Sequence, residues 1–174
     1  MISLRERAQK IKWFVMDVDG VLTDGKVIYD SEGKETKNFS IKDGLGIRFL
    51  SRAGINTAII TGRTSPMVLK RALELEITEV IQDAKQKLPV YEEFKRKHNL
   101  TDEEILYIGD DYVDLPILRR VGFPVCVPSA PEALKEVCAY VTEREGGDGA
   151  VREVIEKVLL LQGKLDEILK RYYE

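Results

Sequence analysis

The sequence is poor in the side chains that mark several large classes of protein. Its 174 residues include two cysteines and one histidine, and its 27 basic side chains are outnumbered by 30 acidic ones. Two cysteines, Cys126 and Cys138, are too few for a disulfide framework or a four-ligand zinc site, and we expect them to pack as free thiols in a reduced compartment. The net charge of −3 argues against nonspecific nucleic-acid binding, which depends on clustered positive charge.

Long hydrophobic runs are absent as well. No apolar stretch approaches the length of about 20 residues that a membrane-spanning helix needs. Residues 1–10 carry charges throughout and lack the apolar centre of a secretory signal. We therefore expect a cytoplasmic protein without membrane segments.

The sequence does contain a regular alternation of strand and helix patterns. Hydrophobic side chains make up 44% and charged ones 33% of the residues, and no repeat or linker interrupts them, which predicts one globular domain over residues 1–174. Strands are predicted at 13–16, 57–60, 79–81, 105–108, 123–127 and 139–142, with a hairpin at 26–29 and 35–40. Helices are predicted at 43–53 with Asp43 as N-cap, from Pro66 onward, at 87–98, 113–121 and 131–137, and as one long helix over 151–172. This pattern predicts an α/β fold with a doubly wound, mainly parallel sheet.

Polar residues lie at or shortly after the carboxyl ends of four of these predicted strands. Asp17 and Asp19 follow the first strand, Thr61 follows the second, and Asp110 follows the fourth. Lys87 lies shortly after the third strand. In a doubly wound sheet, ligands bind beyond the carboxyl ends of the strands, so we expect these residues to share one site.

The residue types in this set fit phosphoryl transfer at a magnesium ion. Several carboxylates at close range raise each other's pKa unless a cation offsets them, and their oxygens suit Mg²⁺. An aspartate beside that ion can attack phosphorus, while a second carboxyl group exchanges protons with the leaving oxygen and with water. Taken singly, each of these residues also has a purely structural explanation, as part of a turn, as a helix cap or as a solvated surface lysine. Only their occurrence together, in this order at the strand ends, favours an active site. The single histidine, His98, ends a basic helix and is expected at the surface.

The order of these residues resembles the motifs of the haloacid dehalogenase superfamily, Asp-x-Asp, Thr, Lys and Gly-Asp-Asp-x-x-Asp. The resemblance implies that Asp17 is the nucleophile and a metal ligand. It also implies that Asp19 is the acid/base, whose backbone carbonyl binds Mg²⁺. The remaining implied roles are phosphoryl binding by Thr61 and Lys87, metal binding by Asp110, and support of the metal and the lysine by Asp111 and Asp114.

Two residues refine this interpretation. The superfamily's ATPases carry threonine at the position of Asp19, so the aspartate favours hydrolysis and hence a phosphatase. Lys85 is an alternative to Lys87 for the lysine role, although Leu88, which follows Lys87 at the start of an amphipathic helix, favours Lys87.

The intervals between the motifs leave no room for a cap domain. The residues between Asp17 and Thr61 already supply a hairpin, a helix and a strand, and those between Thr61 and Lys87 supply a helix and a short strand. A site without a cap is open to water and holds a small substrate poorly. Either the substrate is large or another subunit supplies the lid.

Three longer segments carry a narrower resemblance. Residues 17–25, 39–46 and 146–153 are similar to the family of capless phosphatases that act on 3-deoxy-D-manno-octulosonate 8-phosphate, and the similarity covers nearly the whole chain. It implies a cytoplasmic homotetramer in which the hairpin and the carboxy-terminal segment of neighbours complete each active site. It also implies a step in lipopolysaccharide inner-core synthesis, the removal of phosphate from an eight-carbon keto acid.

Such a substrate carries a carboxylate and therefore needs cations beyond the motif lysine. Arg63 and Arg71 match arginines in the family's pattern, and with Gly62 they are the predicted substrate-binding residues. Two positions depart from the family, because Glu76 and Asp83 stand where glycine is usual. Both substitutions put the placement of the following lysine in question.

Three alternatives remain open on sequence grounds. One is a sister phosphatase acting on a nine-carbon keto-acid phosphate. The others are a receiver-like signalling module, which lacks an acid/base two residues after its aspartate, and a non-catalytic phosphoryl-binding domain. Steady hydrolysis of a phosphate ester in the presence of Mg²⁺ would exclude the last two.

Overall fold

The computed structural model describes residues 2–173, which form a six-stranded sheet, a separate two-stranded hairpin and the surrounding helices. The strands are β1 (Trp13–Met16), β2 (Ile28–Tyr29), β3 (Glu35–Thr36), β4 (Asn56–Ile60), β5 (Glu79–Ile81), β6 (Ile105–Gly109), β7 (Phe123–Cys126) and β8 (Tyr140–Val141). The helices are α1 (Leu4–Lys10), α2 (Ile41–Arg52), α3 (Pro66–Glu74), α4 (Lys87–Lys97), α5 (Leu115–Leu118), α6 (Glu132–Lys135), α7 (Ala150–Leu161) and α8 (Leu165–Leu169).

The sheet is parallel throughout, in the order β5-β4-β1-β6-β7-β8. All four residues of β1 are buried, as expected of a central strand covered on both faces. Met16 lies level with Ile59 of β4 and Ile108 of β6, so the residues after these three strands emerge together at one edge. The predicted α/β fold is confirmed, and this register positions the candidate site.

The longest helices pack against each other beside the sheet. In α7, Val151, Val154, Ile155 and Val158 are buried at helical spacing, and this stripe contacts α2. The predicted hairpin is also present, although its ladder is shorter than expected, since only Ile28–Tyr29 and Glu35–Thr36 pair. No helix in the part of the chain that the structure describes is long and apolar enough to cross a bilayer.

The start of α2 differs from the prediction. Ser40, not Asp43, is the N-cap, and its side chain accepts a hydrogen bond from the backbone N–H of Asp43 at 3.4 Å. Asp43 is only 1% exposed because its carboxylate accepts the backbone N–H of Arg152, at the start of α7, at 2.8 Å. The prediction was wrong because this partner is far away in the sequence.

Two helix predictions were too long. The expected helix over 151–172 ends at Leu161, because Gly163 adopts a left-handed conformation with φ of 71°, and α8 begins only at Leu165. The expected helix over 113–121 consists of a 3₁₀ turn, Tyr112–Asp114, and the single turn of α5.

His98 is only partly exposed, with 22% of its side chain accessible, rather than fully at the surface as predicted. Its ring packs 4.4 Å from Trp13 and 4.9 Å from Phe94 between centroids, and its Nε2 contacts the carboxylate of Glu79. The two cysteines are free thiols, and Cys126 is buried whereas Cys138 is half-buried.

Candidate active site

Asp17, the predicted nucleophile, follows the central strand directly and is buried, with 6% of its surface exposed. Its backbone N–H donates to the carbonyl of Ile108 at 3.1 Å, which extends the pairing of β1 with β6 by one residue. One carboxylate oxygen, Oδ1, lies 3.0 Å from the ammonium of Lys87. The end of the strand ladder therefore fixes where this carboxylate can point.

Lys87 enters the site from the first residue of α4, and only 2% of its side chain is exposed. Its ammonium lies between Asp17 and Asp114, at 3.0 and 2.6 Å. Burial alone would lower the pKa of Lys87, but the two carboxylates raise it above its usual value. The alternative, Lys85, is 81% exposed and lies 3.5 Å from Asp83, so the structure selects Lys87 as the lysine beside the aspartates.

Asp114 is completely buried and has both carboxylate oxygens engaged. Oδ1 accepts hydrogen bonds from Lys87 and from the hydroxyl of Tyr107, each at 2.6 Å. Oδ2 accepts the backbone N–H groups of Asp110 and Asp111, at 3.0 and 3.3 Å. Four donors leave this carboxylate little capacity for a metal, so it fits the predicted supporting role.

Tyr107 was not predicted as a site residue. It lies in the apolar run of β6, where a tyrosine is usually a core residue, and it is fully buried. Its hydroxyl accepts from Lys87 at 3.3 Å while donating to Asp114. Burial and then the negative charge of Asp114 raise the pKa of Tyr107 well above its usual value, so it stays a donor.

Three carboxylates share this edge of the sheet with one lysine. Oxygens of Asp17, Asp110 and Asp114 lie within 4.8 Å of one another. Burial, together with the neighbouring Asp114, raises the pKa of Asp17 to about 6, and burial with Asp17 raises that of Asp110 to about 7. Lys87 offsets only one of the three negative charges. The donor set therefore fits a small divalent cation such as Mg²⁺, with Asp17 and Asp110 as the available side-chain ligands.

The turn after β1 brings Asp19 back toward this cluster. It passes through Gly20, whose φ of 87° is left-handed, and a Cβ there would lie 2.0 Å from Oδ2 of Asp110. Glycine is therefore required at this position both by conformation and by space. The backbone N–H of Gly147 donates to the carbonyl of Val21 at 2.9 Å, which packs the segment before α7 against the same turn.

The carboxylates of Asp17, Asp19 and Asp110, together with Lys87, border an open cavity of about 450 Å³. The predicted residues on its wall are Asp17, Asp19, Thr61, Arg63, Lys87 and Asp110, and Gly62 and Asp111 are part of it too. Thr61 is 2% exposed, and its backbone N–H donates to the carbonyl of Ile81 at 3.0 Å, which holds it at the end of β4. The side chain of Arg63 is 41% exposed.

Two predicted site residues are not on this wall: Asp114 is fully buried and contacts Lys87, whereas Arg71 lies elsewhere. Its guanidinium donates to the carbonyl of Ser40 at 3.3 Å and to Glu74 at 3.2 Å. It lines a separate cavity of about 300 Å³ with Lys37 and Phe39. The structure thus brings nine of the ten predicted residues together, with Arg71 in a neighbouring cavity.

Two hairpin residues contact the site although the sequence analysis did not select them. Lys37 donates to Oδ1 of Asp19 and lies 3.4 Å from Oε1 of Glu35, which is itself 2.9 Å from Nη2 of Arg63. Charged residues are common in surface hairpins, so no signal in the sequence distinguished Glu35 and Lys37 from their neighbours.

The two departures from glycine both have left-handed backbones. Glu76 has φ of 58° and Asp83 has φ of 56°. The chain tolerates the strain at both positions, and Lys87 still reaches Asp17.

Comparison with known proteins identifies relatives of this chain. Residues 75–155 match a family model described as haloacid dehalogenase-like hydrolase. The 3-deoxy-D-manno-octulosonate 8-phosphate phosphatase KdsC of Escherichia coli (strain K12) is 42% identical over 92% of this chain and 86% of that protein.

Two solved structures are similar over nearly the same range. A 3-deoxy-D-manno-octulosonate 8-phosphate phosphatase from Moraxella catarrhalis, in complex with magnesium, phosphate and KDO, superposes with a TM-score of 0.94 at 45% identity, covering 97% of each chain. The cobalt-bound enzyme from Haemophilus influenzae gives a TM-score of 0.87 at 38% identity, covering 91% of this chain and 93% of that one.

Proposed function

Because the chain belongs to the haloacid dehalogenase-like hydrolases, and within them to the family of 3-deoxy-D-manno-octulosonate 8-phosphate phosphatases, we propose that it is a Mg²⁺-dependent phosphatase of that sugar acid. The observation that carries the proposal is the placement of Asp17 beside Lys87 and Asp110 on the wall of one open cavity. The reaction releases the free sugar acid and phosphate, and it would serve the synthesis of the lipopolysaccharide inner core in the cytoplasm.

In the first half of the reaction, a carboxylate oxygen of Asp17 attacks phosphorus. The bond from phosphorus to the sugar's 8-oxygen breaks, and Asp19 donates a proton to that oxygen so that it leaves as a hydroxyl. The phosphoryl group is then an acyl phosphate on Asp17. Lys87 and Thr61 hold the phosphoryl oxygens, and Lys87 compensates the charge that they carry in the transition state.

In the second half, water attacks the phosphorus of the acyl phosphate. Asp19, now ionised, accepts a proton from that water, and the bond between phosphorus and the Asp17 oxygen breaks. Inorganic phosphate leaves, and Asp17 is again a carboxylate. Asp17 and Asp110, with the backbone carbonyl of Asp19, would hold the ion, and Mg²⁺ when bound supplies positive charge for the carboxylates and the phosphoryl oxygens.

The carboxylate of the sugar acid requires a further cation. Arg63 fits this role because its guanidinium is on the cavity wall, partly exposed, and paired at 2.9 Å with the carboxylate of Glu35, which a substrate carboxylate could replace. Gly62 beside it leaves room for a ligand. Arg71 is part of the proposal as a second cation, acting from the adjacent cavity.

An oligomer is part of the same proposal. Large apolar side chains are exposed on three parts of the chain. Tyr29 of the hairpin is 62% exposed, Ile41 at the start of α2 is 84% exposed, and Leu73 of α3 is 81% exposed. Such a surface is typical of contacts between subunits. We infer a homotetramer in which hairpins and carboxy-terminal segments of neighbours cover the open cavity.

Phosphate release from a panel of sugar phosphates tests this function. The panel contains 3-deoxy-D-manno-octulosonate 8-phosphate, a nine-carbon keto-acid phosphate and simple hexose phosphates, each with Mg²⁺ and with a chelator. We expect kcat/KM for the eight-carbon acid to exceed that for the hexose phosphates by at least about 100-fold, because these lack the carboxylate that Arg63 and Arg71 would bind, and to exceed that for the nine-carbon acid as well. A preference for the nine-carbon acid would assign the sister activity, and equal rates across the panel would contradict the substrate assignment.

A further inference from the structure

Lys37 is a buried lysine that the reaction described above does not use. It lies just beyond β3 on the hairpin, and 2% of its side chain is exposed. Lysine is rarely buried to this extent, because removing an ammonium from water is costly unless carboxylates surround it. Here they do, since the ammonium contacts Asp19 and lies 3.4 Å from Glu35.

The contact with Asp19 determines how that carboxylate is held. Oδ1 of Asp19 accepts a hydrogen bond from Lys37, and no other side chain among residues 2–173 donates to this carboxylate. Nη1 of Arg63 is 3.9 Å away, which is beyond hydrogen-bond distance. Because 23% of the Asp19 side chain is exposed, it could otherwise rotate away from the cavity.

Glu35 connects Lys37 to Arg63, one of the cations on the wall of the active-site cavity. Its Oε1 lies between Nζ of Lys37 and Nη2 of Arg63, at 3.4 and 2.9 Å. Glu35 is fixed in turn by the hairpin ladder, in which it pairs with Tyr29. The hairpin of the same chain therefore reaches Asp19 through an alternating series of charges.

We propose that Lys37 is a positioning residue for proton transfer by Asp19, and that Glu35 holds Lys37 in place. With Oδ1 bound to Lys37, Oδ2 is the oxygen left to exchange a proton with the leaving group. General acid catalysis requires a fixed distance between the acid and that group, so a freely rotating Asp19 is less effective. This inference rests on the proposed function.

Leaving groups of different basicity test it. An alkoxide such as the sugar's 8-oxygen needs a proton to depart, whereas the anion of p-nitrophenyl phosphate departs without one. The measured quantity is kcat/KM, which reports the steps up to departure of the leaving group. The variants are Lys37→Met, Lys37→Arg, Glu35→Gln and Asp19→Asn, and Lys34→Met serves as the matched control on the same hairpin, since Lys34 is 72% exposed.

For Lys37→Met we expect kcat/KM on the sugar-acid phosphate to fall by about 30-fold, a part of the roughly 100-fold or more that general acid catalysis supplies. Hydrolysis of p-nitrophenyl phosphate changes less than about threefold, because its leaving group needs no acid. Asp19→Asn also lowers kcat/KM for the sugar-acid phosphate much more than for p-nitrophenyl phosphate, and its loss on the sugar-acid phosphate is larger than that of Lys37→Met. Lys37→Arg restores part of the activity, Glu35→Gln shows a smaller selective loss, and Lys34→Met matches wild type on both substrates.

Equal slowing of both substrates in Lys37→Met, with its melting temperature unchanged, would overturn the inference while leaving the phosphatase function intact. A Lys37→Met variant with wild-type kcat/KM for both substrates would also overturn the inference and leave the phosphatase function intact. If Lys37→Met does not fold, the two substrates are compared in Lys37→Arg and Glu35→Gln, where equal effects on both overturn it. Absence of hydrolysis of either substrate by the wild-type enzyme with Mg²⁺ would overturn the proposed function and this inference with it.

Discussion

The ammonium of Lys87 donates a hydrogen bond of 2.6 Å to Asp114, although the two residues are 27 positions apart and both side chains are buried. Asp114 also accepts from Tyr107 and from two backbone N–H groups of the loop that carries Asp110. One carboxylate thus fixes both the lysine and the loop with the proposed metal ligand. Asp114 therefore acts mainly by holding Lys87 and the Asp110 loop in position.

Asp114→Asn should damage both catalysis and stability. An amide oxygen can still accept one or two of the four bonds, but its NH₂ group faces donors. We expect kcat/KM to fall by at least about 100-fold, since Lys87 loses its fixed position near the phosphoryl group. The buried lysine loses one of its two anionic partners, which should lower the free energy of unfolding by about 3 kcal/mol.

Tyr107→Phe provides the graded comparison, because it removes a single hydroxyl from the same carboxylate. It should cost about 1 kcal/mol in stability. Its effect on kcat/KM should be below that of Asp114→Asn. Steady-state kinetics and urea unfolding measure both quantities, and a larger effect of Tyr107→Phe on activity would contradict the assignment of Asp114 as the organising residue.

The carboxylate cluster predicts a pH-dependent stability of the metal-free protein. The pKa values of Asp17 and Asp110 are raised to about 6 and about 7, so between about pH 4 and 7 the folded chain binds more protons than the unfolded chain. The contribution of these groups to stability therefore falls as the pH rises through this range. Asp110→Asn removes one of them and should melt above wild type in chelator at pH 8, by about 3 °C, with a smaller difference at pH 5.

Adding Mg²⁺ should reverse this order at pH 8. The ion binds the folded wild-type protein and stabilises it by mass action, whereas Asp110→Asn has lost a ligand. Melting curves at pH 5 and pH 8, with Mg²⁺ and with chelator, measure the four cases. If the variant and wild type respond equally to Mg²⁺, Asp110 is not a metal ligand.

Glu76→Gly should stabilise the protein without affecting catalysis. Glu76 has a left-handed backbone that strains any residue with a Cβ, by roughly 1–2 kcal/mol, and glycine has no such penalty but is freer in the unfolded chain. The net gain should be about 0.5–1 kcal/mol, seen as a higher melting temperature at unchanged kcat/KM. Lys70→Gly is the contrasting variant, because Lys70 is an exposed residue inside α3, where glycine should lower the stability of the protein.

Tyr29→Asp should weaken the proposed tetramer. It places a charge on the exposed apolar surface of the hairpin, and sedimentation should detect smaller species. We expect KM for the sugar-acid phosphate to rise by about tenfold, because neighbours would no longer cover the cavity, with a smaller change for p-nitrophenyl phosphate. Leu160→Asp, on the exposed side of α7, is the matched control. A monomeric wild-type enzyme with full activity would contradict the proposed lid.

Much of the fold and the site could be predicted because it depends on local patterns. The buried strands are short apolar runs, and the parallel sheet brings their carboxyl ends together whatever the intervening loops contain. Asp17, Thr61 and Asp110 each follow a strand directly, so their convergence follows from the topology. For the lysine, Leu88 already favoured Lys87 over Lys85, and the structure has Lys87 beside the aspartates.

The residues that could not be predicted depend on distant partners. Asp43 fits a helix cap locally, but its carboxylate accepts the backbone N–H of Arg152, 109 residues away. Lys37 and Glu35 resemble ordinary hairpin residues until the hairpin folds over Asp19. Tyr107 resembles a core tyrosine until its hydroxyl meets Asp114. In each case the polar group finds its hydrogen-bond or ion-pair partner outside its own helix, strand or hairpin, and no local sequence pattern predicts such a partner.

In the proposed reaction Asp17 carries the phosphoryl group. The experiment for this step is to mix the enzyme with labelled sugar-acid phosphate and Mg²⁺, quench in acid within the first turnover and locate the covalent label by peptide mass spectrometry. We predict a phosphorylated peptide modified at Asp17, and neither label nor turnover in a folded Asp17→Asn variant. Turnover without any labelled protein, or label and turnover retained in that variant, would contradict the account.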